Sequence, residues 1–315
     1  MAEMRSRNKR RWGIIFAPRI GALRPMARWK EMREYLHEKG VEYDFVLSDG
    51  DGAAERQAKE FADNGYDTVV VIGGDGALQD ALNGIFASAN AKDVTLGLIP
   101  NGIANDFAAY WGLTYRDYRM AIDCIIARRV RKVDVGCCAY NVDGNVNRRY
   151  FLNVLNVGMS ANVVGIANKN THFARLIYRA RALVYLLFSR SNFRMKFSLN
   201  SQVVDKKFMM LCVGNSLGYG MTPSAVPYNG WLDVSAIRMS PLLGMVEGLL
   251  MLFRRRILNY KRIEPFRTTE IRIDSVDGAR LGIDGRPFEP TFPLTVTVEP
   301  EKLNFIIPIK TNRKL

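Results

Sequence analysis

Cysteine and histidine are scarce in this chain, and their scarcity argues against a disulfide-stabilised scaffold and against a zinc-binding protein. The 315 residues include four cysteines, which are Cys124, Cys137, Cys138 and Cys212. Four are too few for a disulfide scaffold, and none stands in a CxxC or Cys/His spacing of the zinc-binding type. Because no signal-peptide pattern accompanies these thiols, we expect a reducing, cytoplasmic setting.

Long apolar segments are also lacking. A membrane-spanning helix needs about 20 mostly apolar residues. The richest run here, residues 182–188, is short and is bracketed by Arg179, Arg181 and Arg190. We therefore expect a protein without a membrane-spanning helix.

Acidic residues are fewer than basic ones, which gives a net charge of +14 from 45 Lys and Arg against 31 Asp and Glu. Such an excess favours a polyanionic partner, either nucleic acid or an anionic membrane surface. No zinc-finger or RNA-recognition signature is present, so we expect no nucleic-acid partner. A basic protein without any polyanionic partner also fits the charge.

The first part of the chain alternates strand and helix signals. Residues 12–17, 69–72 and 94–99 are apolar runs of strand length, and the β-branched run 69–72 is typical of a parallel strand buried on both faces. Leu78, Ala81, Leu82 and Ile85 recur at helical spacing, and Asp51 is placed to cap an earlier helix. This rhythm predicts an α/β domain over residues 1–134 with a mainly parallel sheet.

After residue 134 short strand-like runs dominate. They lie at residues 150–157, 193–199, 208–213, 231–237, 269–273, 294–298 and 303–307. Helical patterns interrupt them at residues 173–188 and 242–256. We predict a second, mostly-β domain over residues 135–315, with a final strand that can return to the first domain. Both helices mix apolar and basic residues, which suits a membrane interface but equally suits helices that cover a core.

The sharpest motif is the turn formed by Gly73, Gly74, Asp75 and Gly76, between a buried strand and a helix. Glycines let the backbone approach a ligand, and a helix N-terminus offers N–H groups to a phosphate. Asp75 could hold Mg²⁺ or accept a proton. The alternative is a tight turn in which Asp75 only caps its helix.

A second turn repeats this architecture on the next strand, with Gly102, Asn105 and Asp106 before a helix. Carboxyl ends of parallel strands share one edge of a sheet, so the two turns should form one phosphate-binding crevice. Asn105 and Asp106 could instead act only as helix caps. The Rossmann pattern GxGxxG fails at Gln79, and a Walker A motif is absent.

These residues resemble the nucleotide-binding core of the bacterial diacylglycerol kinase and lipid kinase family, to which sphingosine and ceramide kinases are similar. The resemblance covers nearly the whole chain. It extends to Asn83 and Gly84 after the first turn, Ala17 and Pro18 after the first strand, Ser48 after the second, and residues 213–215, 229–234 and 283–285.

The resemblance implies an N-terminal α/β domain related to phosphofructokinase and NAD kinase, a sandwich-like C-terminal domain, and phosphorylation of a membrane-lipid hydroxyl by ATP with Mg²⁺. Asp75 and Asp284 are the implied catalytic residues, with Asp75 also engaging Mg²⁺. The implied nucleotide-binding residues are Pro18, Ser48, Gly73, Gly74, Asp75, Gly76, Gly102, Ile103, Asn105 and Asp106. Arg175, Arg179 and Arg286 are candidates for phosphate or lipid contact. Peripheral attachment to an anionic membrane surface is expected, and a homodimer is left open.

The chain departs from the family pattern at several positions. Ala77 and Ile103 replace hydroxyl residues, Asn229 replaces the aspartate of a structural Mg²⁺ site, and Arg286 replaces the glutamate of Asp-Gly-Glu. Two rival functions therefore stay open: a catalytically impaired nucleotide- or lipid-binding homologue, and a soluble-substrate kinase of the NAD kinase type. The pair Asp284 and Gly285 could also be a plain hairpin turn.

Overall fold

The chain divides into two units, and the first is assembled from two separate parts of the sequence. The computed structural model describes residues 11–18, 25–102, 105–158, 192–254 and 256–308. Residues up to Val133 together with those from Glu301 onward form the first unit, and Asp134–Pro300 form the second.

The first unit is an α/β layer structure built on a parallel sheet. Its strands follow the order β2 (Tyr43–Leu47), β1 (Trp12–Phe16), β3 (Thr68–Gly73), β4 (Thr95–Pro100) and the end of β16 (Leu294–Ile306). Strand β1 pairs in parallel with β2 and β3, and β4 pairs in parallel with β3 and β16. The prediction of a mainly parallel α/β domain is confirmed. Its elements are β1 (Trp12–Phe16), α1 (Pro25–Glu38), β2 (Tyr43–Leu47), α2 (Ala53–Asp63), β3 (Thr68–Gly73), α3 (Asp75–Phe86), β4 (Thr95–Pro100), α4 (Asp106–Tyr110) and α5 (Tyr118–Ile126).

Burial explains the continuous apolar runs in this sheet. Every residue of β3 and β4 is buried, because helices cover parallel strands on both faces. Helices α2 and α3 approach each other closely at Gly84, where an added Cβ would lie 2.0 Å from the carbonyl oxygen of Glu55. This close contact packs the C-terminal half of α3 directly against α2.

The N-terminus of α2 differs from the prediction. Asp51 does not cap this helix; Gly52 occupies the N-cap position with φ 69°, and no side chain caps the helix. Glycine adopts this left-handed conformation without steric cost, so the chain enters the helix through backbone geometry rather than through a carboxylate.

The second unit is an antiparallel β-sandwich, which confirms the predicted mostly-β fold. One sheet has the order β12-β11-β10-β7-β14-β15; the other contains β5, β6, β8, β9, β13 and the first part of β16. Phe151, Phe197, Leu211 and Ile273 belong to its fully buried core. The elements are β5 (Val130–Val142), β6 (Asn145–Phe151), β7 (Val154–Gly158), β8 (Phe193–Leu199), β9 (Gln202–Phe208), β10 (Met210–Gly214), β11 (Leu232–Ile237), α6 (Leu242–Phe253), β12 (Ile263–Thr268), β13 (Glu270–Val276), β14 (Leu281–Ile283), β15 (Arg286–Phe288) and β16 (Leu294–Ile306).

Several strand predictions for this unit were wrong in detail. Residues 150–157 are two strands that part at Leu152 and Asn153, while residues 294–298 and 303–307 belong to one long strand. Strands β5, β9 and β12 of this unit were not predicted, and neither was helix α5 of the first unit. Strand β9 was missed because most of its side chains are exposed and polar, so it lacks an apolar run.

No helix in the described part of the chain is long and apolar enough to span a bilayer. The helix predicted at residues 173–188 lies outside the described residues. The helix predicted at residues 242–256 corresponds to α6, which ends at Phe253.

All four cysteines are buried. Burial, with a smaller contribution from neighbouring Cys137, raises the pKa of the Cys138 thiol. Cys138 is therefore a protonated core residue at neutral pH rather than a reactive thiolate.

Candidate active site

Four parallel strands of the first unit end side by side, and the predicted nucleotide-binding residues follow those ends. The backbone N–H of Ser48 donates to the Phe16 carbonyl oxygen, and that of Ala17 to the Ile72 carbonyl oxygen, both at 2.9 Å. The backbone N–H of Asn101 donates to the Gly73 carbonyl oxygen at 2.8 Å. These bonds bring the turns after β1, β2, β3 and β4 to one edge of the sheet, with Pro18 directly after Ala17.

The two glycine-containing turns touch through their backbones. A Cβ added to Gly74 would lie 2.9 Å from the Gly102 Cα, and one added to Gly102 would lie 2.4 Å from the Gly74 Cα. Since real Cβ atoms do not approach so closely, the contact requires glycine at both positions. The Asn105 side chain secures the second turn: its Oδ1 accepts from the Gly102 N–H at 2.8 Å, and its Nδ2 donates to the Gly102 carbonyl oxygen at 3.1 Å.

Asp75 joins the two turns. It is the first residue of α3, yet its carboxylate accepts from the backbone N–H groups of Asp106 at 2.8 Å and Phe107 at 3.1 Å, at the start of α4. Asp75 therefore caps the following helix rather than its own. Its side chain is buried, so the charge lies in a pocket of backbone donors.

The N-terminus of α3 supplies donors beside this carboxylate. The first helical hydrogen bond runs from the Leu78 N–H to the Gly74 carbonyl oxygen, so the N–H groups of Gly76 and Ala77 precede it. Such groups and the helix dipole attract phosphate oxygens. One edge of the sheet thus combines anion-attracting N–H groups with a buried carboxylate.

Asp284 lies in the second unit, at the tip of a two-residue hairpin. It has φ 44° and Gly285 has φ 83°, between the paired residues Ile283 and Arg286. Both positive φ values match a type I′ turn. The fully buried carboxylate of Asp284 also accepts three backbone N–H groups, from Leu152 at 2.7 Å, Asn153 at 3.0 Å and Val154 at 2.8 Å. Asp284 therefore anchors the hairpin to the start of β7.

A second buried network, missed at the sequence level, surrounds Asp134. This residue is 1% exposed, and its carboxylate accepts the Gly230 N–H at 2.7 Å. Asn215 donates through Nδ2 to the carbonyl oxygens of Asp134 and Leu152, each at 3.0 Å. Asn229, predicted as a lost metal ligand, turns its Oδ1 to the Trp231 N–H at 3.0 Å. The available signal was a charged residue interrupting the buried stretch of β5.

The structure thus brings Pro18, Ser48, Gly73, Gly74, Asp75, Gly76, Gly102, Asn105 and Asp106 to one edge of the first unit. Asp284 and Arg286 share a hairpin of the second unit. Ile103, Arg175 and Arg179 lie outside the described residues. Within the described part of the chain, no group of three or more His, Cys, Asp or Glu side chains could hold a metal ion together.

Comparisons with known proteins agree with this architecture. Residues 11–138 match the model of the diacylglycerol kinase catalytic domain, and residues 153–307 match that of the YegS C-terminal NAD kinase beta sandwich-like domain. The diacylglycerol kinase of Bacillus subtilis is 24% identical over 278 residues, covering 86% of this chain and 88% of that protein. A Pseudomonas aeruginosa protein named as a YegS-like lipid kinase is 26% identical, covering 86% of each chain.

Solved structures share the fold. A diacylglycerol kinase crystal structure from Bacillus anthracis superposes with a TM-score of 0.71 at 19% identity, covering 95% of this chain and 97% of that one. Yeast NADH kinase, complexed with NADH, gives a TM-score of 0.53 at 12% identity, covering 96% and 84%. The matched family models and the named relatives define a kinase-type phosphotransferase with an α/β catalytic unit and an NAD-kinase-like sandwich. The chain belongs to the family of diacylglycerol kinase-like lipid kinases, phosphotransferases with an alcohol group as acceptor.

Proposed function

We propose that this protein transfers the γ-phosphate of ATP to a hydroxyl group of a membrane lipid. Diacylglycerol is the first candidate acceptor, because the relatives named above include diacylglycerol kinases; ceramide and sphingoid bases are the next. The observation that carries the proposal is the backbone contact between Gly74 and Gly102, bridged by Asp75. It brings the two glycine-containing turns together as one proposed phosphate-binding site.

The residues of this edge fit ATP. Gly73, Gly74 and Gly76 keep side chains away from the backbone donors at the start of α3, so phosphate oxygens can approach those donors. Asn105 holds the second turn in register. Pro18 and Ser48, at neighbouring strand ends, are proposed to line the same nucleotide site.

Mg²⁺ also fits this site. Mg²⁺ is commonly bound by one or two carboxylates together with substrate phosphates, rather than by a cage of protein ligands. Asp75 would be its protein ligand, and a carboxylate has about four lone-pair positions, so accepting two N–H bonds is compatible with this role. Bound there, Mg²⁺ would neutralise charge on the phosphates.

The protein's own contribution is positioning and charge compensation. The N-terminal N–H groups of α3 would stabilise negative charge on the phosphate chain, and Asp75 would orient the acceptor hydroxyl or take its proton. For Asp284 we propose a positioning role, because three N–H donors already bind its carboxylate. Arg286, on the same hairpin, is proposed to contact a phosphate.

A phosphate-transfer assay tests this function. Purified protein, labelled ATP, Mg²⁺ and a panel of diacylglycerol, ceramide, sphingoid base and phosphatidylglycerol in mixed micelles should give a labelled lipid. Asp75→Asn should lower the rate by at least about 100-fold, the lower range for loss of a general base, while the protein stays folded by circular dichroism. Asp63→Asn, on an exposed carboxylate of α2, is the control and should retain the rate.

Other outcomes would favour the rival functions. A labelled soluble product with NAD as acceptor would indicate a kinase of the NAD kinase type. ATP binding without transfer to any acceptor would indicate a nucleotide-binding homologue without catalysis, consistent with Ala77 and Arg286. We further propose that the enzyme meets its lipid from the cytoplasmic side, held peripherally at an anionic surface by its charge of +14.

A further inference from the structure

Helix α6 belongs to the second unit and is apolar on two faces. One of these faces packs against the rest of that unit. A Cβ added to Gly248 would lie 3.2 Å from the Tyr260 ring, and the Tyr260 hydroxyl donates to the Gly244 carbonyl oxygen at 2.8 Å. Met251 and Leu252 pack against the buried cluster that contains Tyr260. The glycines thus let the inner face of α6 lie directly on an aromatic ring.

The other face is open. Four apolar residues form this face: a first residue and those one, four and eight positions after it. This spacing places their side chains on one stripe of a helix. They are Leu242, Leu243, Val246 and Leu250, with exposures of 44%, 83%, 38% and 52%. Single exposed leucines are ordinary, but a continuous apolar stripe marks an interaction surface. A helix that is apolar all round is normally buried all round. These four residues are called the outer face of α6.

Basic residues surround the C-terminal end of this helix. Arg254 and Arg256 follow α6 and are exposed, as are Lys261 and Arg262 a few residues later. In the sequence, Glu247 is the one acidic residue between positions 238 and 262. Apolar side chains beside unbalanced positive charge complement an anionic bilayer, in which acyl chains lie beneath negative headgroups. A second copy of this chain would instead bring like charge to like charge.

We propose that the outer face of α6 docks the protein on an anionic lipid bilayer, with its leucines in the boundary between headgroups and acyl chains and the flanking arginines on the headgroups. This docking rests on the proposed function, in which the acceptor is a membrane lipid. Its geometry involves the second unit alone.

Vesicle co-sedimentation without nucleotide tests this docking. The variant Leu243→Gln with Leu250→Gln keeps good helix formers in α6. Its partitioning onto phosphatidylglycerol-containing vesicles should be at least about 10-fold weaker than that of the unchanged protein, given the apolar area withdrawn. Arg254→Gln with Arg256→Gln should weaken binding to these vesicles also by about 10-fold or more, from about 1 kcal/mol per charge near such a surface.

The matched control places glutamine at two exposed valines outside α6. Val146 in β6 and Val203 in β9 are 58% and 68% exposed, so Val146→Gln with Val203→Gln should retain vesicle binding. Equal binding by the leucine variant and the unchanged protein overturns the proposal, as does failure of the unchanged protein to bind vesicles. A dimer in light scattering that the leucine variant dissociates overturns it in favour of a second copy. A melting temperature lowered by the leucine variant but not by the valine control overturns it in favour of cover by another part of this chain.

Phosphate transfer is read separately, so that the two proposals fail independently. The leucine variant should retain its rate on a dispersed short-chain diacylglycerol and lose rate on vesicle-embedded diacylglycerol. Vesicle binding without any phosphate transfer would leave the docking intact and refute the kinase function.

Discussion

Gly74 and Gly102 are single residues whose lack of a side chain shapes the site. The strand signals and the turn were readable from the sequence, but the direct contact between the two turns was not, because it depends on how far apart two parallel strands hold them. Each glycine meets the other within a distance that excludes a Cβ. A methyl group at Gly74 therefore acts on the second turn as well as on the first.

Gly74→Ala should lower ATP affinity by more than about 10-fold while the fold is kept, because removing a close backbone approach to phosphate costs at least one charge-assisted hydrogen bond. Gly74 has φ −103°, a value that alanine also adopts, so the substitution tests the steric contact alone. Isothermal calorimetry measures the affinity. Gly97→Ala, in β4, is the control, because its Cβ would meet only the flexible end of the Ile125 side chain, at 3.2 Å. Unchanged ATP affinity in Gly74→Ala would contradict the site.

Arg286 stands where the family resemblance leads us to expect a glutamate, and its replacement tests whether a base is needed there. We expect Arg286→Ala to lower turnover much less than Asp75→Asn, because phosphoryl transfer depends mainly on positioning and charge neutralisation. Turnover on the preferred lipid measures this. A rise in turnover with Arg286→Glu would identify a weakened kinase of the ordinary type, and a fall would support a phosphate contact by Arg286. If transfer appears only after Arg286→Glu, the unchanged protein is not an active kinase.

At the scale of elements, two hairpins of the second unit use the same turn for different purposes. Asp143 and Gly144 join β5 to β6 with φ 49° and 82°, and Asp284 and Gly285 join β14 to β15 with φ 44° and 83°. Asp143 is exposed, whereas Asp284 is buried against the start of β7. The dipeptide Asp-Gly predicts both turns equally, but the sequence does not show which aspartate turns its carboxylate inward.

Asp284→Asn should destabilise the protein by about 1–3 kcal/mol, because an amide group would then face backbone N–H donors that a carboxylate accepted. Asparagine tolerates the positive φ, so the turn itself is preserved. Thermal unfolding measures the effect, and ATP affinity should be unchanged. Asp143→Asn, in the exposed hairpin, is the control and should leave the melting temperature unaltered. Lost turnover at unchanged stability would instead support a direct chemical role for Asp284.

The same comparison explains where sequence reasoning succeeded. Buried parallel strands such as β3 leave continuous apolar runs, and these runs correctly predicted an α/β fold with a mainly parallel sheet. Strand β9 was missed because most of its side chains are exposed and it has no apolar run, whereas the break at Leu152 was missed because residues 151–158 are buried without interruption. The carboxylate of Asp75 was expected to cap its own helix or bind a ligand; its bonds to the next helix depend on tertiary contacts that no local pattern records.

At the scale of the whole molecule, the charge of +14 predicts salt-dependent attachment to membranes. Binding to phosphatidylglycerol vesicles should fall steadily as NaCl is raised, because surface charges are screened over about 10 Å at 0.1 M salt. Co-sedimentation across a salt series measures it. Neutral phosphatidylcholine vesicles are the control and should bind less at low salt. Equal binding to both vesicles would refute an electrostatic contribution.

Strand β16 begins in the second unit and ends in the first. Its last residues return to the first unit, where Asn304 pairs with Thr95 and Phe305 with Leu96, and where the Phe305 ring lies 5.0 Å from that of Phe107. These residues leave the ribosome after the entire second unit has been synthesised. The catalytic unit, although begun first, is therefore finished last: the outer edge of β4 stays open and the aromatic core unfilled during translation. The parallel sheet of the first unit therefore stays incomplete until the second unit has been synthesised, and we expect the proposed ATP binding to appear only after that point.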